Sequence, residues 1–179
     1  MTFPNATTDH SWYDLFAGSL SIERNSLDYK QYPISGRKQF LVAQYVTGTE
    51  KYMPSPITDM GSFDRKVHSW LQMKGEWEQY KTISPYFNLG FMSELVLSSK
   101  NLMNNYTASV LQAPAFTPTP HSQIVFNEAF RANQYVAFGL SPILKFSKLL
   151  HFRLDMYGFA PLYEIKKEEA WNNNTYTAI

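Results

Sequence analysis

The chain has 179 residues, with 16 Lys and Arg against 15 Asp and Glu, and it contains no Cys. The nearly balanced charge gives no field that favours nucleic acid or an anionic membrane surface, and the missing Cys excludes disulfides, thiolate nucleophiles and Cys-ligated metals. Aromatic residues make up 16% of the chain, yet no apolar run approaches the roughly 18 residues of a membrane helix. Many aromatics with modest overall hydrophobicity are typical of a β-barrel with a polar lumen.

Alternation with a period of two dominates the sequence and predicts strands. The first predicted strand carries Phe16, Leu20 and Ile22 on one face, and a turn-rich stretch follows it. The predicted strands cover residues 12–23, 38–47, 67–80, 86–97, 134–146 and 149–163. The segment 98–133 is too long for an ordinary connection, which predicts that it is either functional or disordered.

The third predicted strand, HSWLQMKGEWEQY, alternates strictly between apolar and charged side chains. In a barrel, such a strand turns its apolar face to lipid and its polar face to the wet interior. We therefore predict that Leu71, Met73 and Trp77 face lipid. The residues predicted to face the lumen are Lys74, Glu76, Glu78, Glu94, Arg153 and Asp155.

The lengths of the strands and of their connections favour an outer-membrane barrel over a soluble sheet protein. The predicted strands run about 10 to 15 residues, against about 5 to 6 in ordinary globular sheets. Short turns at 84–85 and 147–148 alternate with long linkers at 48–65 and 98–133, which is the layout of outer-membrane barrels. A β-sandwich, the alternative, would have shorter strands and a less aromatic apolar face. The predicted fold is all-β: an antiparallel up-and-down meander of about six strands, forming a partial barrel over residues 1–179.

Two groups of residues carry side chains that can act in catalysis or bind metals, but simpler roles explain both. Glu76 and Glu78 lie about 7 Å apart on one strand face, as an acid/base pair might, but a hydrated lumen wall already explains both. His68 and His151 lack the spacing of metal ligands, so a solvated or hydrogen-bonded role is favoured. We predict no catalytic residue, no cofactor and no metal site.

Two stretches resemble the bacterial surface-antigen and outer-membrane insertase superfamily. ERNSLDYKQYPISGRKQF is similar to a turn between barrel strands there, in which an Asp- or Asn-rich run precedes Pro, two residues and Gly. The anchors here are Arg24 and Asn25, Pro33, and Gly36. Pro fixes φ and Gly supplies the open dihedral angles of the turn. NEAFRANQYVAFGL resembles a V-R-G-F-like motif on a loop that folds into the lumen, with Arg131 at the matching position and Ala132 in place of Gly.

Within that superfamily, the order of YFNLGFMSELVLSS, APAFTPTPHSQIVF and FRANQYVAFGL resembles the C-terminal barrel of bacterial patatin-like phospholipases. The resemblance spans nearly the whole chain and implies about strands nine to fourteen of sixteen. It also implies a bacterial outer-membrane location and a barrel that anchors or exports a lipid-hydrolase domain. The G-x-S-x-G and Asp-Gly motifs of that hydrolase do not occur here, so this segment is not predicted to be an enzyme.

The resemblance makes Arg131 the anchor of a lumenal loop; the bland alternative is an exposed loop cation. In the superfamily the lumenal Arg commonly meets an acidic residue on a later strand. Asp155 is the nearest candidate, although the best-aligned position is the apolar Phe159. We therefore predict a contact between Arg131 and Asp155.

The implied partners follow from the fold. Six strands do not close a barrel and leave two open edges, which lipid does not tolerate, so an isolated chain is not expected to insert stably. The expected partners are outer-membrane lipid and the remaining barrel strands and hydrolase domain of a parent chain, with no nucleic acid; homo-oligomerisation stays open. Two other functions stay open as well: an insertase or surface-antigen barrel, and a soluble antiparallel β protein that binds an apolar ligand.

Overall fold

The computed structural model describes residues 10–53, 64–100, 103, 106–147, 150–163, 165–166 and 177–178. Its main strands are β1 (His10–Asn25), β2 (Gly36–Met53), β3 (Asp64–Ser84), β4 (Phe87–Ser98), β5 (Gln134–Lys145), β6 (His151–Arg153) and β7 (Met156–Tyr163). The short strands β8 (Ile165–Lys166) and β9 (Thr177–Ala178) pair separately. One helix, α1 (Tyr106–Leu111), and one 3₁₀ turn (Glu128–Phe130) lie between β4 and β5.

The main strands form one antiparallel meander, which confirms the predicted fold class. Strands β1 to β5 pair in chain order, and both β6 and β7 pair with β5. Strands β6 and β7 are therefore two segments of a single sixth strand of the sheet. In the described part of the chain, β1 pairs only with β2 and β7 only with β5, so the sheet is open and not closed into a barrel.

Several predicted boundaries need correction. In the linker predicted at 48–65, residues 48–53 belong to β2 and residues 64–65 to β3, and the two strands stay paired up to the partners Tyr52 and Asp64. Residues 54–63 lie outside the described residues. Residues 48–53 of β2 do not alternate between apolar and polar side chains, so the sequence pattern placed the end of this strand at residue 47. The strand predicted at 149–163 is interrupted at Leu154 and Asp155, where the Leu154 amide donates to the Pro142 carbonyl and the sheet ladder breaks. Residues 148 and 149 lie outside the described residues.

The outer face of the sheet is apolar and open to its surroundings. Phe16 and Leu20 of β1 are 75% and 73% exposed, and Phe138 of β5 is 55% exposed. Further exposed apolar side chains on this face are Ile22, Leu41, Tyr45, Leu71, Met73, Trp77, Phe91, Leu95, Leu97, Val136, Leu140 and Met156. The predicted outward orientation of Leu71, Met73 and Trp77 matches this arrangement.

The opposite face, called the polar face below, is partly covered by the segment between β4 and β5. Phe116 of that segment is 3% exposed and packs with Val96, Tyr135 and Ala137 of the sheet. This aromatic cluster is the main core, so the covering segment is an integral part of the fold. No helix in the described residues is long and apolar enough to span a membrane.

Candidate functional site on the polar face

A ladder of ion pairs crosses the polar face. Lys38 of β2 and Lys74 of β3 each place Nζ 2.9 Å from a different oxygen of Glu76. Lys74 also lies 3.2 Å from Glu94 of β4, and the Tyr135 hydroxyl of β5 donates to Glu94. These residues share a face because every second side chain of neighbouring antiparallel strands points the same way. Charges of opposite sign therefore compensate one another across three strands, and the Tyr135 hydroxyl extends the network to a fourth.

Arg153 is the centre of a second network on this face. Its Nε donates to Asp155 at 2.7 Å, its Nη1 to the Pro33 carbonyl at 2.8 Å and its Nη2 to the Tyr80 hydroxyl at 2.9 Å. The guanidinium also lies over the rings of Tyr32 and Tyr80, at 5.5 and 5.2 Å. One planar cation thus joins the sixth strand, β3 and the turn between β1 and β2, a role that suits the rigid fork of Arg.

The Tyr80 ring reaches Arg153 because it lies across a glycine. Gly90 of β4 pairs with Tyr80, and a Cβ at Gly90 would stand 2.3 Å from the Tyr80 ring. Ser141 follows in the same row on β5 and donates to Asp155. Small side chains on β4 and β5 therefore leave room for the tyrosine and guanidinium above them.

The backbone of the β1–β2 turn depends on the predicted Gly36. Its φ is +102°, and a Cβ there would lie 2.1 Å from the Ser26 carbonyl oxygen. Tyr32 also has a positive φ, 53°, directly before Pro33. Only Gly adopts such a φ without strain at so close an approach, which gives the physical reason for glycine at this position.

The turn folds back over the polar face, which the sequence did not predict. Asn88 of β4 donates from Nδ2 to the Ile34 carbonyl at 2.7 Å, and Arg153 binds the neighbouring Pro33 carbonyl. Pro33 is buried. Pro33 therefore places a carbonyl for recognition by side chains far away in the sequence.

Asp28 holds this turn together and makes it sensitive to acid. Partial burial raises the pKa of the Asp28 carboxyl. The hydrogen bonds that the carboxylate accepts from Ser35, Ile34 and Tyr29 lower the pKa by more than burial raises it, so the net shift is downward. A carboxylate with a lowered pKa stabilises the folded state above its unfolded pKa of about 3.9 and loses this contribution as the pH falls.

We therefore predict that hydrogen exchange in residues 26–37 increases as the pH falls below about 4. Asp28→Asn keeps an acceptor oxygen but removes the charge, so the variant should exchange faster than the wild type at pH 7. The two proteins should converge as the pH falls through the lowered folded-state pKa of Asp28. Mass spectrometry of peptides, corrected for intrinsic exchange rates, measures the difference. A constant gap between the two proteins at every pH would contradict the prediction.

Arg131 anchors the covering segment to itself. Its Nη1 donates to the carbonyls of Leu111 and Ala113, both at 3.0 Å, and so caps the end of α1. Its guanidinium lies 4.7 Å from the centre of the Phe126 ring. The predicted contact with Asp155 is not formed, because Asp155 binds Arg153 and Ser141. Arg131 is an anchor within the loop and not between the loop and the sheet.

An aromatic contact takes the place of that ion pair. Phe159 of β7 stacks on Phe116 at 6.1 Å and meets Phe130 edge-on at 5.7 Å. Phe159 was the best-aligned position for the acidic partner, and its apolar side chain selects a different mode of docking. Aromatic pairs of this geometry stabilise packing by roughly 0.5–1.5 kcal/mol beyond the area they bury.

A polar cavity of about 360 Å³ lies between the sheet, the β1–β2 turn and the covering segment. The ladder and the Arg153 network both line it, together with Thr117, Pro118 and Thr119 of the covering segment. Within the described residues, no group of three or more His, Asp or Glu is placed to hold a metal ion. Five of the predicted lumen residues line this cavity: Lys74, Glu76, Glu78, Glu94 and Arg153. The sixth, Asp155, does not line it but accepts a hydrogen bond from Arg153, which does.

A buried polar cluster at the other end of the sheet was missed by sequence reasoning. Glu50 is 0% exposed, and it accepts from the Tyr13 hydroxyl at 3.1 Å and lies 2.7 Å from His68 Nε2. Lys100 places its ammonium 5.2 Å from the centre of the Trp70 ring. The sequence signal was weak, because the residues come from β1, β2, β3 and the segment after β4.

Burial lowers the pKa of the Lys100 ammonium to about 8, although nearby Glu50 raises it in part. Between about pH 8 and 10.5 the unfolded chain holds a proton on Lys100 that the folded protein does not, so stability rises with pH in this window. We predict a rise of roughly 1–3 kcal/mol relative to Lys100→Met. Urea unfolding of both proteins across this range measures it, and parallel pH profiles would contradict it.

Comparison of the chain with protein-family models, with curated proteins and with solved structures found no match.

Proposed function

We propose that this chain is part of the membrane-embedded wall of an outer-membrane β-barrel. The carrying observation is an apolar band on the outer face that is bounded by polar residues at both ends. Along β2 the outward residues pass from Arg37 and Gln39 through Leu41, Ala43 and Tyr45 to Thr47, Thr49 and Lys51. The paired β3 positions pass from Gln79 and Trp77 through Gly75, Met73 and Leu71 to Ser69, Val67 and Arg65.

This band has the composition that a bilayer requires. Aromatic side chains, Trp77 and Tyr45, lie at its two limits, as they do in the girdles of membrane barrels. Strands of 16, 18 and 21 residues in β1, β2 and β3 exceed the 9–11 residues that cross a bilayer, so their ends extend into water. Contiguous exposed apolar surface of this extent is a liability in water and favourable in lipid.

The polar face supports the same proposal. Its charged residues pair with one another around a cavity, as expected for a wall that borders a wet lumen. The segment between β4 and β5 covers part of this face and would lie inside the lumen. The resemblance to patatin-like phospholipases motivates the more specific proposal that the barrel anchors or exports a lipid-hydrolase domain, while this segment itself does no hydrolysis.

The decisive experiment is fractionation of cells that express the chain together with the remaining strands of the proposed barrel, because six strands alone are not expected to insert stably. The protein should remain with outer membranes through carbonate washing and require detergent for release. Recovery of native protein in the aqueous fraction would instead favour the soluble, apolar-ligand-binding alternative. The hydrolase barrel and an insertase or surface-antigen barrel are separated by the DNA upstream of this segment. A G-x-S-x-G motif encoded there in the same reading frame would favour the hydrolase barrel.

A further inference from the structure

The covering segment carries an unexplained apolar surface. Ile124, Val125 and Phe126 are 82%, 63% and 53% exposed, and Phe130 is 43% exposed. Phe130 also meets Phe159 of β7 edge-on, whereas Ile124, Val125 and Phe126 belong neither to the buried core cluster nor to the outer apolar face. Consecutive exposed apolar side chains on a loop commonly mark a binding surface.

These residues surround a cavity of about 330 Å³ that lies within the covering segment. Phe116 and Phe130 line it with the three exposed apolar residues, and Arg131 lines it as well. The volume is at the lower end of small-molecule pockets, which run about 300–1,000 Å³. It suits one acyl chain better than the two chains of a bilayer phospholipid.

One edge of the Arg131 guanidinium has no partner among the described residues. Nη1 is occupied by two carbonyls, whereas Nε is buried without a hydrogen bond. Nε and Nη2 form the side of the fork that binds a carboxylate or phosphate with two parallel hydrogen bonds. Phe126 covers the flat face of the guanidinium, so the unsatisfied Nε is the polar group of Arg131 that a ligand would have to satisfy.

We propose that this cavity binds a single-chain amphiphile with an anionic head group, a carboxylate or a phosphate. The head group bonds to the Nε and Nη2 edge of Arg131, and the chain lies against Phe126, Phe130 and Ile124. The assignment does not depend on the location of the sheet in a membrane, since every residue of the site belongs to the covering segment.

Photo-crosslinking tests the site on protein extracted from the membranes, or recovered from the soluble fraction, of expressing cells. The probe is dodecanoic acid with a chain diazirine, and its methyl ester is the uncharged control. The acid should label residues 122–131 at least about tenfold more strongly than the ester, because the fork contributes charge-assisted hydrogen bonds to the anion only. Equal labelling by the ester, or labelling confined to the outer apolar face, would overturn the proposal.

Variants and competitors sharpen the result. Arg131→Gln should reduce labelling about tenfold or more, and Arg131→Lys should stay well below the wild type, because Lys keeps the charge without the fork. The exposed cation variant Arg65→Gln is the matched control and should label as the wild type does. Competition by dodecanoate alone assigns a carboxylate head group, competition by dodecyl phosphate alone assigns a phosphate, and failure of both overturns the proposal.

An Arg131 variant can disturb the covering segment, because Arg131 holds that segment together. The comparison of acid with ester is made on the wild type alone, so it tests the site even if the variants misfold. A failure of the proposed function is recognised separately. Protein found in the aqueous fraction refutes the membrane location, while selective labelling of 122–131 in that same protein still supports the amphiphile site.

Discussion

Arg153→Gln is expected to lower the free energy of unfolding by about 1.5–3 kcal/mol, because it removes a partly buried cation and its charge-assisted hydrogen bonds. The Arg153 side chain is 11% exposed and donates to Asp155, Pro33 and Tyr80. Its loss leaves the Asp155 carboxylate without its cation and releases the β1–β2 turn. Urea unfolding of detergent-extracted protein, followed by tryptophan fluorescence, measures the effect.

Cleavage by trypsin reports on the local part of this effect. Lys30 lies in the turn that Arg153 holds, so the peptide bond after Lys30 should be cut faster in Arg153→Gln. Arg153→Lys should be intermediate, since Lys supplies the charge without the fork, and adding Asp155→Asn should recover part of the lost stability. Arg65→Gln, an exposed cation at the far end of β3, should change stability by no more than about 0.5 kcal/mol. Unchanged unfolding and unchanged cleavage in Arg153→Gln would refute the network.

Leu95→Arg is expected to destabilise the complete barrel that the proposal assigns to this chain by about 2–4 kcal/mol in lipid bilayers, the cost of a cation on the lipid face near the midplane. Leu95 points outward from β4 between Gly75 and Val136, within the apolar band. In water the same change at a side chain that is 43% exposed would shift stability by about 0.5 kcal/mol or less. The size of the effect therefore discriminates between lipid and water as the surroundings of this face.

Val67→Arg is the matched control for this substitution. Val67 points from β3 to the same outer face and is 73% exposed, but it lies beyond the apolar band, beside Arg65. It should cost no more than about 1 kcal/mol in bilayers, as expected near the interface. Equal and small effects at Leu95 and Val67 would refute the membrane assignment of the band.

Much of the fold was predictable because it rests on a local pattern. A strand alternates its side chains with a period of two, so the outward orientation of Leu71, Met73 and Trp77 can be read directly from the sequence. The polar positions of β3 and β4 follow from the same rule. The extension of β2 to Met53 was missed because its end carries Gly48, Thr49 and Glu50, which show no apolar face although pairing continues there.

The partners of the polar side chains were not predictable from the pattern. Arg153 and Pro33 are 120 positions apart, and their contact requires the β1–β2 turn to fold over the sheet. Likewise, the predicted partner of Arg131 was Asp155, but its acceptors are the carbonyls of Leu111 and Ala113. Those acceptors exist only because a short helix ends there, and no periodicity in the sequence marked it.

The sequence by itself determined the all-β class, the meander of long strands and the two unlike faces, because each depends on neighbouring residues and on the geometry of a strand. Only the tertiary structure decided which charges pair, where the turn docks, that Phe159 packs on the covering segment, and that Nε of Arg131 has no hydrogen-bond partner among the described residues. These features depend on distances between residues remote in the chain. Those distances are set by sheet register and by packing, which a period of two does not encode.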